Sequence, residues 1–435
     1  MTMAFQALFV ILAVMLVLLF IGVPISYAIG ISSLSAILMT VDLDVAVLTA
    51  AQRTFVGMSK FSLTAIPFFI LAGNIMNQGG IARRLVNFVM AILGKLPGAL
   101  LVTNVGTNAL FGAISGSASA AAAAVGSMIR DGAEEQGYDP AVTAATNAAS
   151  APSGLLIPPS NALITYSLAS GGTSVAALFM AGYIPGIIWA IMCAIVGIIL
   201  AKKLGYKGTP GKFNWGVLLK ATLQALPSLS LIVVVIGGIV GGIFSATEGS
   251  AIAVVYALFL AVCYKSITLK SLWKIIVDSA KMSGMVVFLI GVSNILGWVM
   301  AFTQIPDAVA SALLGLTNNK YILLLIMNVI LLVAGTFMDV TPAILIFTPL
   351  FLPIVKSFGM DPIHFGLILV YNLCIGNITP PVCNTLFVGI KIGRTSLAKV
   401  MPYMLMYYVA ILAGLLLVTY IPEISLFLPR LAGVA

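Results

Sequence analysis

Long apolar stretches, interrupted by charged residues, Gly and Pro, make up most of the chain. Several reach the roughly 20 residues with which a helix crosses the hydrocarbon core of a bilayer. The first half has apolar spans near 5–21, 22–40 and 62–78, a short amphipathic stretch, two half-length segments, a proline-broken span and a long span at 175–201. The second half repeats this order, with spans near 227–244, 248–264 and 284–302, a half-length pair, a broken span and a last span at about 400–421. The pattern predicts an all-α polytopic membrane protein.

The half-length pairs predict re-entrant hairpins, which enter and leave the membrane on the same side. The first, near 98–131, turns at GAISGSASA, and the second, near 321–357, turns at GTFMDVTPA. Each precedes a helix broken by two adjacent prolines, at 140–169 (GLLIPPSNALITY) and at 362–390 (GNITPPVCNTLF). Non-helical backbone is tolerated at membrane depth only where it is buried in protein or lines a watery cavity. We therefore expect the breaks to line a transport site.

The two halves are related by a nearly constant offset in sequence. GYDPAV is matched by GMDPIH, and 18 residues separate Pro140 from Pro158 as they separate Pro362 from Pro380. The pattern predicts a tandem duplication. Its parts are a first repeat at 1–205, a cytoplasmic linker at 206–226 and a second repeat at 227–435. Five full crossings and one hairpin in each repeat would insert the second repeat upside down.

Composition and charge support a membrane protein and orient it. The chain is 61% hydrophobic and 8% charged, with a mean hydropathy of +1.17, which excludes a soluble enzyme. If both termini lie in the periplasm, sixteen of the 21 basic residues fall in cytoplasmic loops, as the positive-inside rule requires. The exceptions are Arg53, Lys60, Lys320, Lys356 and Arg430. The net charge of +9 is therefore an orientation signal and no sign of nucleic-acid binding.

Candidate binding groups are neutral oxygens, since few titratable groups lie at membrane depth. Asp339 is the only carboxylate at a predicted hairpin tip, Glu248 is expected to cap a helix, and His364 is the single histidine. Hydroxyls, amides and carbonyls suit a hard monovalent cation such as Na⁺. Such oxygens cluster at the two tips and the two breaks: Ser115, Ser117, Ser119, Ser153, Ser160, Asn161, Thr341, Asn377, Thr379 and Asn384. Small polar residues also serve close helix packing, which is the alternative for each of them.

The segments GAISGSASA, GLLIPPSNALITY, GTFMDVTPAILIFTPL and GNITPPVCNTLF follow in this order across the whole chain. Together they resemble the large membrane subunit of tripartite ATP-independent periplasmic (TRAP) transporters. The resemblance implies a Na⁺-driven importer of organic acids that works by an elevator movement. It also implies two partners, a periplasmic substrate-binding protein and a small four-helix membrane subunit. No four-helix extension is found in this sequence, so we expect the small subunit to be a separate chain.

Within this resemblance, symmetry divides the oxygens into sites for at least two Na⁺ ions. Ser117, Ser119, Ser153 and Asn161 are assigned to the first site, and Thr341, Asn377, Thr379 and Asn384 to the second. Ser115, Ser160 and Asp339 are expected to line the substrate cavity between them. For Asp339 the alternatives are binding of substrate hydroxyls or of an ammonium group, a cation site, or a helix cap.

No basic residue lies in the four clusters, although an Arg or Lys favours recognition of a dicarboxylate. This favours a hydroxyl-rich monocarboxylate such as sialic acid over a C4-dicarboxylate. A stand-alone Na⁺/carboxylate symporter that needs no partner subunits is the main alternative, and a channel is a weaker one. An intramembrane enzyme is the weakest, because no metalloprotease or serine-hydrolase motif occurs. The four cysteines lack paired spacing and are expected to be packing residues.

Overall fold

A computed structural model describes residues 2–208, 214–317 and 319–434, and every regular element in these ranges is a helix. The polytopic all-α class is therefore confirmed. Residues 209–213 of the predicted linker 206–226, which include Lys212, lie outside the described residues, as do the terminal residues Met1 and Ala435. All four cysteines are free, and three of them are buried.

Eleven α-helices and one short 3-10 helix form the first half of the described chain. They are α1 (Thr2–Phe20), α2 (Ile25–Ile37), α3 (Leu43–Met58), the 3-10 helix (Phe61–Thr64), α4 (Ala65–Gln78), α5 (Ile81–Leu93), α6 (Ala99–Ser115), α7 (Ala118–Glu135), α8 (Pro140–Ser150), α9 (Ser153–Leu156), α10 (Asn161–Ala169) and α11 (Val175–Leu204). The first hairpin is α6 and α7, and the first broken helix is α8 to α10.

Ten helices form the second half within the described residues. They are α12 (Trp215–Val240), α13 (Ala246–Cys263), α14 (Leu269–Phe302), α15 (Ile305–Leu316), α16 (Lys320–Phe337), α17 (Val340–Ser357), α18 (Pro362–Gly376), α19 (Asn384–Ile392), α20 (Leu397–Tyr420) and α21 (Glu423–Leu431). The second hairpin is α16 and α17, and the second broken helix is α18 and α19. The sequence pattern did not predict α15 and α21.

The hairpin helices are longer than the half-length segments that the sequence predicts. They contain 17 or 18 residues each, which at 1.5 Å per residue is about 26 Å. The first turn lies between Ser115 and Ala118, within GAISGSASA, and the second between Phe337 and Val340, within GTFMDVTPA. By length and composition, eight helices of the described residues are apolar enough to cross a membrane, or nine if a bent pair is counted as one span.

The amphipathic stretches VDLDVAVLTAAQRTF and SITLKSLWKIIVDSAKM occupy corresponding places in the two halves, where the sequence predicts arms along the membrane interface. They differ in their junction with the following span. In the first half, α3 is separated from the helical segment Phe61–Gln78 by a bend of 60°. In the second half, the arm and the span predicted at 284–302 form one 34-residue helix, α14. The helix that contains the span predicted at 284–302 therefore begins earlier, at Leu269. Helix α12 likewise begins at Trp215, well before the predicted start at residue 227.

Helices of the two halves interlock around the broken helices. The second part of each broken helix packs on the hairpin of the other half, α10 against α17 and α19 against α7. Hydrogen bonds join the halves, from the Tyr166 hydroxyl to the Pro362 carbonyl (2.6 Å) and between the Tyr407 and Thr146 hydroxyls (2.7 Å). Outside this centre, α4 packs on α13, and α14 packs on α2 and α3. The breaks thus lie where both halves meet.

Candidate functional site

The proline breaks leave backbone carbonyls without their helical partners, and nearby side chains replace some of them. Pro152 has no amide hydrogen, so α8 cannot continue unchanged beyond Ser150. The Trp189 indole on α11 donates to the Ala149 carbonyl at 2.8 Å. The Pro158–Pro159 and Pro380–Pro381 peptide bonds are both cis. Buried partners of this kind allow irregular backbone to persist at membrane depth.

The first hairpin turns through Gly116, which has a φ of +62° and ends α6 in the left-handed region. Ser117 then caps α7, accepting a hydrogen bond from the Ala120 amide at 3.4 Å. Its hydroxyl lies 3.3 Å from that of Ser119, and the buried Ser115 hydroxyl lies 3.4 Å from the Ser117 carbonyl. Three predicted site residues are thereby brought together at one tip.

The first break contacts this tip directly. The Asn161 amide nitrogen donates to the Gly116 carbonyl at 3.5 Å. Its side-chain oxygen, Oδ1, is buried and has no hydrogen-bond partner among the described residues. One turn before the tip, Gly112 and Gly154 pack so closely that a Cβ on either would lie 2.5 Å or less from the other's Cα. Only glycine permits this contact between α6 and α9.

The second tip has a similar arrangement. Asp339 caps α17, its Oδ1 accepting from the Val340 amide at 2.8 Å, and its side chain is exposed. The Val382 amide of the second break donates to the Thr336 carbonyl at the end of α16, at 3.1 Å. Gly335 and Gly376 meet there as Gly112 and Gly154 do, since a Cβ on Gly376 would lie 2.4 Å from the Gly335 carbonyl carbon.

The remaining predicted residues of the second site occupy different environments. The Thr379 hydroxyl donates to the Ile375 carbonyl at 2.7 Å. Asn377 is buried, and its Oδ1 has no hydrogen-bond partner in the described part of the chain. Thr341 is half-buried in the first turn of α17, whereas Asn384 is exposed at the start of α19. A buried amide oxygen without a partner is therefore present at each break.

Two serines of the first break donate their hydroxyl hydrogens to the backbone of the same segment. Ser153 donates to the Ser150 carbonyl at 2.7 Å, and Ser160 donates to the Leu155 carbonyl. Ser160 also caps α10 by accepting from the Leu163 amide. Both side chains are buried, and each hydroxyl oxygen keeps a lone pair that can accept a hydrogen bond or coordinate a cation.

Sequence reasoning missed a buried network of asparagines beneath each tip. The Asn108 amide lies within 3.0 Å of side-chain oxygens of Asn104, Asn147 and Ser150. In the second half, the Asn372 amide donates to Asn328 at 2.9 Å. The four-residue spacing of Asn104 and Asn108 in a mostly apolar helix was the available signal. These networks link each hairpin to the first part of its broken helix.

Glu248 lies away from this centre, where the structure confirms its capping role. Its carboxylate accepts from the Ser245 amide at 2.7 Å, and the Ser245 hydroxyl accepts from the Glu248 amide. The two residues form a capping box at the start of α13.

The comparison with known families decides the assignment. Residues 12–424 match the family described as "Tripartite ATP-independent periplasmic transporter, DctM component". The chain belongs to this family. It is therefore a large membrane subunit of a TRAP transporter, the resemblance noted from the four segments is confirmed, and the family is one of transporters in the inner membrane. Members of the family work with a periplasmic binding protein and usually with a small membrane subunit.

Three relatives show how widely the similarity extends. YgiK of Salmonella typhimurium is 50% identical to this chain over 95% of both sequences. The C4-dicarboxylate TRAP transporter large permease protein DctM of Rhodobacter capsulatus is 36% identical over 98% of this chain and 99% of its own. The isethionate TRAP transporter permease protein DctMQ of Oleidesulfovibrio alaskensis is 38% identical over 94% of this chain. The match covers only 64% of DctMQ.

A solved structure shares the fold at low sequence identity. The YdaH transporter of Alcanivorax borkumensis matches 82% of this chain and 85% of its own with a TM-score of 0.59 and 14% identity. At this identity the match concerns the fold alone.

Proposed function

We propose that this TRAP subunit imports an organic acid together with at least two Na⁺ ions. The substrate is delivered by a periplasmic binding protein, and a separate small four-helix subunit completes the membrane complex. One observation carries the proposal: each hairpin tip contacts a proline break, and each break has a buried amide oxygen without a partner, on Asn161 and Asn377. An unpaired buried oxygen at membrane depth is costly, and a bound cation removes that cost.

The first Na⁺ site is formed by the first tip and the first break. Its oxygens come from Ser117, Ser119, Ser153 and Asn161, with carbonyls freed near Gly116 and Pro159. Neutral oxygens of this number satisfy a hard cation without an additional carboxylate. The second site uses Thr341, Asn377, Thr379 and Asn384 in the same manner.

The substrate cavity lies between these ion sites and is lined by Ser115, Ser160 and Asp339. The Asp339 cap uses Oδ1, which leaves Oδ2 to accept from a substrate hydroxyl. Because no basic side chain belongs to the set, we expect a singly charged, hydroxyl-bearing acid whose charge is balanced by Na⁺ and helix N-termini. Sialic acid fits this description, as does the isethionate in the name of the 38% identical relative. A C4-dicarboxylate fits less well.

The two halves act as inverted repeats in an elevator mechanism. The reciprocal packing of α10 on α17 and α19 on α7 supports the pseudo-symmetry. Helices α4 and α14 belong to the scaffold, and the hairpins with the broken helices form the moving part. Gly73 of α4 lies in close contact with the Ser115 backbone, so no side chain separates α4 from the tip at this position. With an odd number of crossings in each repeat, both termini lie in the periplasm.

Uptake by purified components tests the proposal against the stand-alone symporter. Proteoliposomes would contain this chain with or without its small subunit, with the binding protein and labelled sialic acid, isethionate or succinate outside. We expect Na⁺-driven uptake of a singly charged acid only when both partners are present. Equal uptake by this chain alone would establish the symporter, and uptake of succinate only would contradict the substrate assignment.

A further inference from the structure

A groove outside the transport site runs between α5 and α12. One end, of about 340 Å³, is lined by Arg83, Arg84 and Tyr264, and the other, of about 490 Å³, by Lys95 and Lys220. Asn87 and Gln224 line both ends, so the groove is continuous. Its basic residues all lie on the side of the membrane that the charge distribution assigns to the cytoplasm.

Helix α5 places these side chains at the membrane surface. Ile81, Ala82, Leu85 and Val89 form its buried face, whereas Arg83 is exposed. Such an amphipathic helix lies in the plane of the interface, at the depth of lipid headgroups. The floor at the Lys220 end is apolar, with Met90, Ala91, Val217 and Ala221.

The polar groups at the Arg84 end lack a protein anion. The Arg84 guanidinium lies over the Tyr264 ring, 3.2 Å from its centroid, and the ion pairs of the described residues involve Arg130 and Arg430 instead. The Tyr264 hydroxyl is buried and has no hydrogen-bond partner in the described ranges. Two guanidinium groups and a free hydroxyl donor together suit a phosphate diester.

The fold itself does not require these cations. Helix α15 occupies the corresponding place in the second half, between α14 and the hairpin helix α16. Its sequence, IPDAVASALLGL, contains no basic residue and has Asp307 in the first turn, where α5 has Arg83. The basic groove is thus specific to one face of the membrane.

We propose that the groove binds the headgroup of an anionic phospholipid. The phosphate is held by Arg83, Arg84 and the Tyr264 hydroxyl, and the acyl chains lie along the apolar floor towards Lys220. Basic pockets between helices on the cytoplasmic side are suited to such headgroups. The lipid joins α5, which leads into the first hairpin, to α12 and α13.

Native mass spectrometry of the purified full-length chain with added phosphatidylglycerol tests this proposal, with phosphatidylcholine as the neutral comparison. We expect the wild type to bind phosphatidylglycerol more tightly, and the double variant Arg83→Gln, Arg84→Gln to weaken that binding about 30-fold. The variant Lys202→Gln, Lys203→Gln removes the same charge from the same face outside the groove and should bind as the wild type does. Because the measurement involves no transport, its outcome is independent of the proposed Na⁺ coupling.

Two further variants keep the test decisive. Arg83→Gln alone changes an exposed side chain and should weaken binding about fivefold even if the double variant fails to fold. Tyr264→Phe should weaken phosphatidylglycerol binding while keeping the ring beneath Arg84. Equal affinity of wild type and Arg83→Gln, or equal binding of the two lipids, would overturn the proposal. Displacement of the lipid by an equal concentration of inorganic phosphate would show an anion site that does not recognise lipid.

Discussion

Asp339 caps a helix, and we propose that it also faces the substrate. Its Oδ1 accepts from the Val340 amide, and the side chain is exposed at the tip of the second hairpin. Its position at the tip could be predicted from the sequence, because the residue is a lone carboxylate between two apolar helices. The sequence could not show that the side-chain oxygens of Asn161 and Asn377 lack hydrogen-bond partners. Whether a buried oxygen is hydrogen-bonded depends on residues that are distant along the chain.

Substituting Asp339 by Asn separates the two roles. Asn keeps an oxygen for the cap, so we expect folding and thermal stability to be retained, whereas uptake should be lost with the charge. Asp339→Ala should also lower stability by about 0.5–2 kcal/mol. Uptake and thermal unfolding of both purified variants measure these effects. Near-normal uptake by Asp339→Asn would return this residue to a structural role.

Removal of the orphaned amide oxygens should weaken Na⁺ binding. We expect Asn161→Ala and Asn377→Ala each to raise the Na⁺ concentration for half-maximal uptake, with a loss of about 1–3 kcal/mol for each ligand. Thr165→Val, one turn beyond Asn161 on α10, removes a hydroxyl that donates only to the Asn161 carbonyl and serves as the control. A Na⁺ dependence unchanged in both Asn variants would exclude these oxygens as ligands.

At the scale of elements, paired glycines set the distance between each hairpin and its broken helix. The order of helices and the existence of both breaks could be predicted, because proline pairs and apolar periodicity are local signals. The continuity of α14 could not, since its first half occupies the place of the separate helix α3, which is followed by a bend of 60°. The close glycine contacts are likewise tertiary, and the sequence shows only small residues.

Adding a methyl group at one of these contacts should separate the two elements. Gly154→Ala would place a Cβ 2.2 Å from the Gly112 Cα, against backbone that cannot move aside locally. We expect a loss of about 1–3 kcal/mol of stability and of most uptake. Gly132→Ala, on α7 of the hairpin that contains Gly112, has no atom within 4 Å of the added Cβ and should be neutral or stabilising. Thermal unfolding that ranks the two variants in the opposite order would contradict the contact.

At the scale of the whole molecule, inverted insertion of the second half makes a prediction about topology. With both termini in the periplasm, a C-terminal alkaline phosphatase fusion should be active, and a C-terminal green fluorescent protein fusion should be dark. The reason is the distribution of basic residues, sixteen of 21 of which then lie in cytoplasmic loops. A fluorescent fusion without phosphatase activity would place the C-terminus in the cytoplasm and remove the basis for the inverted repeat.

Coupling to Na⁺ is the central claim, because it explains why both proline breaks carry unpaired oxygens and no proton-relay residues. The direct measurement is initial uptake of the labelled acid by proteoliposomes of the complete complex as the external Na⁺ concentration is varied. We predict a sigmoidal dependence with a Hill coefficient above about 1, because at least two ions bind for each substrate molecule that is transported. Full uptake in Na⁺-free buffer, driven by a proton gradient alone, would contradict the account.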